Sequence, residues 1–145
     1  MTGEDRPVTR WAALLAAVGF LGMMGFQLLL AAGAPMGRFA WGGAFETLPR
    51  NLRIGSLISA GIFLLAAAFV LERGGIIRGL GKPRLAHAGT WFMVVLFSLS
   101  AVLNAFQGSP WEKRVMLPVA IGLVILSLVV VLSPRHSDRA ARGGD

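Results

Sequence analysis

The chain has 145 residues, of which 55% are hydrophobic and only 14% are charged, whereas soluble domains carry about 25% charged residues. Its mean hydropathy of +0.69 excludes a disordered chain and argues against a water-soluble globule, because so short a chain cannot hide this much apolar surface from water. The net charge is +7 and there is no cysteine, so disulfides, thiolate metal sites and cysteine nucleophiles are excluded.

Four uncharged runs predict four membrane-spanning helices. The runs are residues 11–34, 54–71, 85–106 and 115–133. At about 1.5 Å per residue, each is long enough to cross a hydrocarbon core ~30 Å thick. Proline or glycine stands near both ends of every run, as expected at helix boundaries. When the runs are extended to these boundaries, the predicted spans are 8–33, 49–73, 83–107 and 110–133. We expect one membrane domain, with a disordered tail at 134–145.

These spans predict an all-α fold, a four-helix transmembrane up-and-down bundle with both termini on the same side. Gly19, Gly22 and Gly25 in the first run, with a small-residue pair at 55 and 59 in the second, predict a close approach of the first two helices. The contact is either within the chain or between protomers, and we expect it mainly inside the bundle. Pro118 lies about two turns inside the fourth span, where it should remove one backbone hydrogen bond and bend the axis.

The basic residues predict the orientation of the chain in the membrane. The side with the termini and the loop 72–84 carries nine Lys and Arg residues, and the other side carries five. The positive-inside rule therefore places both termini in the cytoplasm, with the chain integral to the cell (inner) membrane. Because the basic residues lie between apolar runs, we expect anionic lipid headgroups on the cytoplasmic side as partners, and no nucleic acid.

The segment 33–43, GAPMGRFAWGG, is the most unusual in the chain. Five of its eleven residues are Gly or Pro, so it cannot continue the first helix, and its Phe39 and Trp41 would be costly to leave in water. We expect a compact loop at the mouth of the bundle or at the headgroups, with Trp41 in the interfacial belt. The loop is either a recognition loop with Arg38 and Glu46 as polar contacts or a structural cap anchored by its aromatic residues.

The sequence Ser109-Pro110-Trp111-Glu112 is typical of a helix start. Serine suits the N-cap, proline the first helical position and glutamate the third, so Ser109 and Glu112 form a predicted capping box. In it, the Glu112 carboxylate accepts a hydrogen bond from the Ser109 amide. Glu112 either has only this local role or is a functional carboxylate, and Trp111 is a second predicted anchor at the outer interface.

The chain carries three distinctive motifs: the loop at 33–43, Leu-Arg-Ile-Gly-Ser at 52–56, and Ser-Pro-Trp-Glu at 109–112. In these motifs, the chain resembles a group of small bacterial four-helix integral membrane proteins. In that group, a Gly-Ala-Pro-x-Gly-x-x-Ala-Trp-Gly-Gly loop follows the first helix, and the other two motifs open the second and fourth helices. The resemblance covers most of the chain between the tails. It implies the four-helix architecture, points to one face of the bundle, and brings no established activity.

No Asp, Glu, Lys or Arg lies in the middle of a predicted span, which disfavours a proton-coupled antiporter. Among the few polar residues there, Gln27 and Asn104 both lie toward the outer ends of their helices. They either hydrogen-bond to each other and fix the helix register, or line a small polar pocket with Arg53 and Trp41 that opens outward and holds a headgroup or small ligand. His87, alone near the start of the third span, is expected to be structural.

We predict no catalytic residue, no metal site and no cofactor, because the sequence has no Gly-x-Ser-x-Gly or His-Glu-x-x-His motif and no acidic pair within the spans. The predicted function is a non-enzymatic membrane protein, either an accessory subunit or a module that binds lipid or a small apolar ligand through its outer-face loops. Its partner would be membrane lipid, another protein or a second copy of the chain. A small oligomeric transporter or channel is the second alternative, and a lipid-modifying enzyme using Glu46, Glu112 or His87 is the third. The candidate binding residues are Gln27, Arg38, Trp41, Glu46, Arg53, Asn104 and Trp111.

Overall fold

A computed structural model describes residues 5–133 of the chain, with side chains for residues 7–82 and 84–133. Every regular element in this part of the chain is helical. The long helices are α1 (Asp5–Ala32), α2 (Arg50–Arg73), α3 (Pro83–Gln107) and α4 (Leu117–Leu132), and a π-helical turn, Glu112–Met116, leads into α4. With that turn counted in α4, all four are long and apolar enough to cross a membrane. The predicted all-α, four-helix fold is therefore confirmed, while the predicted tail 134–145 lies outside the described residues.

The helices form a closed ring. α1 packs on α2 and α4, and α3 packs on the same two helices. Thr9 near the start of α1 donates a hydrogen bond to Ser133 just after α4, with Oγ1 and Oγ 2.8 Å apart. The described chain therefore begins and finishes at one end of the bundle, which we call the terminal end. The opposite end, which we call the paired-loop end, carries the α1–α2 connection (residues 33–49) and the α3–α4 connection (residues 108–111).

Glycines in the left-handed conformation terminate α1 and α2. After α1, Gly33 has φ +97°, and the amides of Gly33 and Ala34 donate to the carbonyls of Leu30 and Leu29. After α2, Gly75 has φ +72°, and the amides of Gly75 and Ile76 donate to the carbonyls of Glu72 and Leu71. Both are Schellman motifs, which satisfy carbonyls that the helix leaves without partners. The Gly and Pro signals in the sequence therefore correspond to real helix ends.

Small side chains let α1 and α2 approach each other. Four alanines of α1 and two of α2 are buried in the shared core: Ala12, Ala13, Ala16, Ala17, Ala66 and Ala67. Lipid tails are as apolar as helix surfaces, so helices associate in a membrane through such close packing. Phe20, Phe63 and Phe97 fill the centre of the bundle, and the Phe97 ring centroid lies 5.2 Å from each of the other two.

Within the bundle, the predicted glycine contact between α1 and α2 is wrong in its residues. Gly19 faces α4 instead, where a Cβ would lie 2.5 Å from Leu123 Cδ2. A Cβ at Gly22 or Gly25 would meet no atom within 4 Å, and Gly55 makes room for an aromatic ring of the 33–49 connection. The two helices do approach closely, but alanine and not glycine makes the contact.

The outward faces of the four helices are apolar. Val18, Ile58, Phe92 and Leu132, one from each helix, are all at least 62% exposed. Exposed apolar surface of this extent is unfavourable in water and suits acyl chains. The fold is thus consistent with insertion into a membrane.

An arginine at each end of α2 secures the C-terminal end of a neighbouring helix. At the paired-loop end, Arg53 Nε donates to the Ala31 carbonyl of α1 at 2.7 Å. At the terminal end, Arg73 Nη2 donates to the carbonyls of Val131 and Ser133 at 3.2 and 2.8 Å. The last carbonyls of a helix lack intrahelical partners and carry partial negative charge, so guanidinium donors stabilise them.

Pro118 lies in the first turn of α4, directly after the π-helical turn. The Leu117 amide donates to the Glu112 carbonyl, five residues back, which is the π spacing. Because proline has no N–H, the ordinary helical ladder must be interrupted here. The sequence predicts an interruption two turns inside a regular helix, whereas the regular part of the fourth helix begins only at this point.

Candidate functional site

Ser109 and Glu112 form the predicted capping box at the start of the fourth helix. Glu112 Oε2 accepts a hydrogen bond from the Ser109 amide at 2.8 Å, and Ser109 Oγ accepts one from the Glu112 amide at 3.2 Å. The reciprocal pair satisfies two backbone donors that the helix start leaves without intrahelical partners. The predicted capping box is therefore confirmed.

The same two side chains also bind the 33–49 connection. Glu112 Oε1 accepts from the Gly42 amide at 3.2 Å, and Ser109 Oγ donates to the Arg38 carbonyl at 2.9 Å. A Cβ on Gly43 would lie 2.6 Å from Ser109 Cβ, so glycine is needed for this close approach. The two connections therefore form one structure, with Glu112 buried between them at 4% exposure.

The 33–49 connection is compact and has a small core of its own. Two 3-10 turns, Gly37–Phe39 and Trp41–Gly43, shape its first half. Ala40 and Leu48 bury their side chains against Leu30 of α1. These contacts, like the bonds through Ser109 and Glu112, hold the connection over the end of the bundle.

Trp41 is fixed against α2 in an unusual backbone conformation. Its φ of 55° is in the left-handed region, which costs a residue other than glycine about 1–3 kcal/mol. Its indole Nε1 donates to the fully buried Ser56 Oγ at 3.0 Å. A Cβ on Gly55 would lie 2.8 Å from the ring, so glycine at 55 makes room for the indole. The bond and the close packing offset the strain and hold the ring in one position.

A partly open cavity of about 430 Å³ lies inside the bundle at the paired-loop end. Sites of this size hold small molecules. All four helices and residues 39–42 of the connection contribute to its lining. The polar lining residues are Gln27, Ser59, Ser100, Asn104, Gln107 and Glu112.

Most polar lining residues lie toward the paired-loop end of the cavity, where they are mixed with apolar ones, and Ser59 lies about as deep as Phe97. Asn104 and Glu112 lie within one turn of the helix ends, and both line the cavity there. The deep part is lined by Phe97, Phe63 and Leu123 from three helices. Phe97 lies ten residues inside the end of α3, which is about 15 Å along the axis. The cavity is therefore amphipathic, with most of its polar residues nearest the paired-loop end.

Three of the seven candidate binding residues line this cavity: Gln27, Trp41 and Asn104. Gln27 Oε1 is buried and has no hydrogen-bond partner. The predicted register-fixing bond between Gln27 and Asn104 is wrong, because α1 and α3 lie diagonally across the ring with the cavity between these side chains. The two side chains thus line the same cavity and are not hydrogen-bonded to each other.

The other four candidates do not line the cavity. Arg38 and Glu46 are exposed, and the Arg38 guanidinium lies 5.2 Å from the Phe39 ring centroid. Trp111 packs edge-on against the same ring, with 5.7 Å between centroids. Arg53 is bonded to the end of α1, which corrects its predicted place in the pocket.

Most of the lining residues, with Glu112, Phe63 and Phe97 among them, are not among those predicted to bind. In the sequence, Glu112 is already explained by its helix cap, and the two phenylalanines look like ordinary core residues. One available signal lies in α3, where the polar residues at 100, 104 and 107 have the spacing of a single helical face. That stripe could have identified the α3 side of the cavity.

His87 is exposed near the start of α3, about 30 Å along the helix from the paired-loop end. It therefore cannot act together with Glu46 or Glu112. Among the side chains that the structure describes, no three His, Asp or Glu residues are grouped as metal ligands would be. Comparisons with protein families, curated proteins and solved structures found no match to this chain.

Proposed function

We propose that the protein is a non-enzymatic integral membrane protein that binds one small amphiphile in the cavity at the paired-loop end. The polarity gradient of the cavity carries this proposal. A lipid-like molecule in a membrane has the same gradient, with its head at the interface and its chain toward the middle. Such a molecule can enter the cavity without changing its orientation.

The polar part of the cavity must supply the selectivity. A chain that leaves the surrounding acyl chains for Phe63 and Phe97 exchanges one apolar environment for another and gains little. The head instead meets polar side chains, among them Gln27, Asn104 and Glu112. Discrimination between ligands is therefore expected to follow the chemistry of the head.

Trp41 provides a direct test, because it lines the cavity and can be made the only tryptophan of the chain. The reporter carries phenylalanine at Trp11, Trp91 and Trp111 and is placed in phosphatidylcholine nanodiscs. The probe is a single-chain amphiphile with a hydroxyl head and bromine atoms next to the head, since bromine quenches tryptophan fluorescence on contact. We expect quenching that saturates at a low mole fraction of the probe.

A matched pair of variants assigns the quenching to the cavity. Ser100→Phe places a large ring in the lining and should raise the half-saturating mole fraction at least ten-fold. Ala105→Phe adds the same ring at an exposed position of α3 outside the lining and should leave it unchanged. Quenching that never saturates, or equal effects of the two variants, would contradict the proposed function.

We also propose that the paired-loop end faces outward from the inner membrane and that the termini are cytoplasmic. The nine-to-five distribution of Lys and Arg supports this orientation, and it sets the more basic end against anionic headgroups. Since the chain lacks cysteine, the labelling of a single introduced cysteine reports the orientation without background from other thiols. In intact cells, a membrane-impermeant maleimide should label Glu46→Cys and should label Leu80→Cys only after permeabilisation; the reverse pattern would invert the orientation.

A further inference from the structure

α2 and α3 pack against each other from the terminal end to the middle of the bundle. Near the terminal end, Phe69 lies against Gly89, where a Cβ would come 2.8 Å from the ring. In the middle, the Phe63 and Phe97 rings stack with 5.2 Å between centroids and 12° between planes. The rest of the seam between these two helices lies beyond this ring pair, toward the paired-loop end.

Beyond the ring pair, the α3 side of the seam is exposed although it lines the cavity. Leu103 lies fourteen residues after Gly89, which is close to four helical turns, so both are on the face of α3 that turns toward α2. Ser100 and Gln107, three residues before and four after Leu103, belong to the same face. All three side chains line the cavity and are exposed, Leu103 by 47%. The cavity is therefore open sideways between α2 and α3.

The indole of Trp41 occupies the α2 side of this opening. Gly55, on which the indole packs, lies fourteen residues before Phe69, so both are on the face of α2 that turns toward α3. Trp41 also lines the cavity and is 41% exposed, so its ring lies between the cavity and the surroundings. The bond to Ser56 Oγ holds it there in spite of its left-handed backbone.

The cavity is covered at the end of the bundle. Residues 39–42 line it, and the bonds from Gly42 to Glu112 and from Ser109 to the Arg38 carbonyl join the two connections. The sideways opening is apolar, since Leu103 on its α3 side and Ile58 on its α2 side are exposed. A molecule dissolved in the membrane meets this apolar opening, whereas a molecule in water meets the joined connections.

We propose that the amphiphile enters the cavity sideways from the membrane between α2 and α3, and that the Trp41 indole is the gate of this opening. This inference rests on the proposed function and names the source and the route of its ligand. The indole leaves Ser56 to admit the ligand and returns to it afterwards. Such a gate limits the rates of entry and release and leaves the affinity nearly unchanged.

The test follows the quenching of the Trp41 reporter in nanodiscs over time, with the hydroxyl-headed brominated probe. Recovery of fluorescence after mixing with excess empty nanodiscs gives the release rate. A second reporter keeps only Trp111, which is exposed at the same end outside the lining, and times the arrival of the probe in the membrane. We expect quenching of Trp41 to lag behind that of Trp111. Simultaneous quenching of both would show that no gate limits entry.

Ser56→Ala removes the acceptor that holds the indole. Entry and release should both become at least three-fold faster, while the half-saturating mole fraction stays within two-fold of the parent value. Ser59→Ala removes a hydroxyl from the lining three residues further along α2 and should change neither rate. Unchanged rates in Ser56→Ala, or equal acceleration by both variants, would refute the gate.

A second pair of variants locates the entrance. Val119 is also exposed and lines the cavity, but it lies one turn from Leu123, which meets Gly19 of α1, and so faces the α1 side of α4. Leu103→Phe should slow entry and release at least three-fold, and Val119→Phe should not. Slowing by Val119→Phe alone would move the entrance to the α1–α4 side, and slowing by neither would exclude a sideways route.

Two probes whose chains differ by two CH₂ groups distinguish entry from the membrane and entry from water. Each CH₂ group lowers the aqueous concentration at a given mole fraction about four-fold. At equal mole fraction we expect entry rates that agree within two-fold, whereas entry from water would be about fifteen-fold slower for the longer probe. That slower entry would overturn the route and leave amphiphile binding intact. Absence of saturable quenching with either probe would overturn the proposed function itself.

Discussion

Replacing Glu112 by glutamine tests whether this carboxylate joins the two connections of the paired-loop end. Glutamine keeps one acceptor oxygen, so one of the two amides, from Ser109 or Gly42, faces an NH₂ group instead of an acceptor. A hydrogen bond to a charged group contributes about 1.5–3 kcal/mol. Because Glu112 is 4% exposed, water cannot easily replace the lost partner. We therefore expect the free energy of unfolding to fall by about 2–3 kcal/mol.

The assay is equilibrium unfolding in mixed micelles of a mild detergent and dodecyl sulfate, followed by tryptophan fluorescence. Glu46→Gln is the matched control, since Glu46 is exposed on the 33–49 connection and an exposed substitution should change the free energy by less than ~0.5 kcal/mol. If Glu112→Gln unfolds at the same denaturant fraction as Glu46→Gln, the carboxylate does not hold the connections together and the reasoning is refuted.

The same unfolding assay checks two further pairs. Gly42 and Gly43 both have positive φ, +79° and +70°, but only a Cβ on Gly43 meets the opposite connection. Gly43→Ala should therefore lower the free energy of unfolding by at least ~1 kcal/mol more than Gly42→Ala, and equal losses would contradict the close approach. Arg53→Met removes the bond to the end of α1 and should cost about 1–2 kcal/mol, whereas Arg50→Met, at an exposed site, should cost less than ~0.5 kcal/mol. Indistinguishable stabilities of the two arginine variants would show that the bond contributes nothing.

The helices are predictable from the sequence because two independent signals coincide. In lipid, an unbroken apolar run must form a helix to satisfy its backbone, and glycine or proline marks where that helix starts or stops. Gly33 and Gly75 adopt the positive φ that a Schellman end requires, and Pro83 opens α3. The glycines inside the spans are less informative, since spacing does not show which neighbour a helical face meets. Gly19 illustrates this, because it contacts Leu123 of α4 and not α2.

The site is only partly predictable for a related reason. The capping box depends on residues three apart and is readable locally. The bond from Glu112 to Gly42 joins residues seventy positions apart, and no local pattern contains it. Gln27 and Asn104 are recognisable as polar residues toward one end of the bundle. Whether they can bond to each other depends on the order of the four helices around the bundle. A diagonal placement of their helices makes them line a cavity, whereas an adjacent placement would have let them bond.

The arginines at the two ends of α2 recognise oxygen atoms that every amino acid carries. Substitutions at residues 31 or 131 leave those acceptors in place, so the arginine bonds do not constrain the identity of these positions. The length of the neighbouring helix is not free, because inserting one residue rotates its last carbonyl by about 100° around the axis. Relatives of this chain that keep these bonds should therefore keep the number of residues between helix ends.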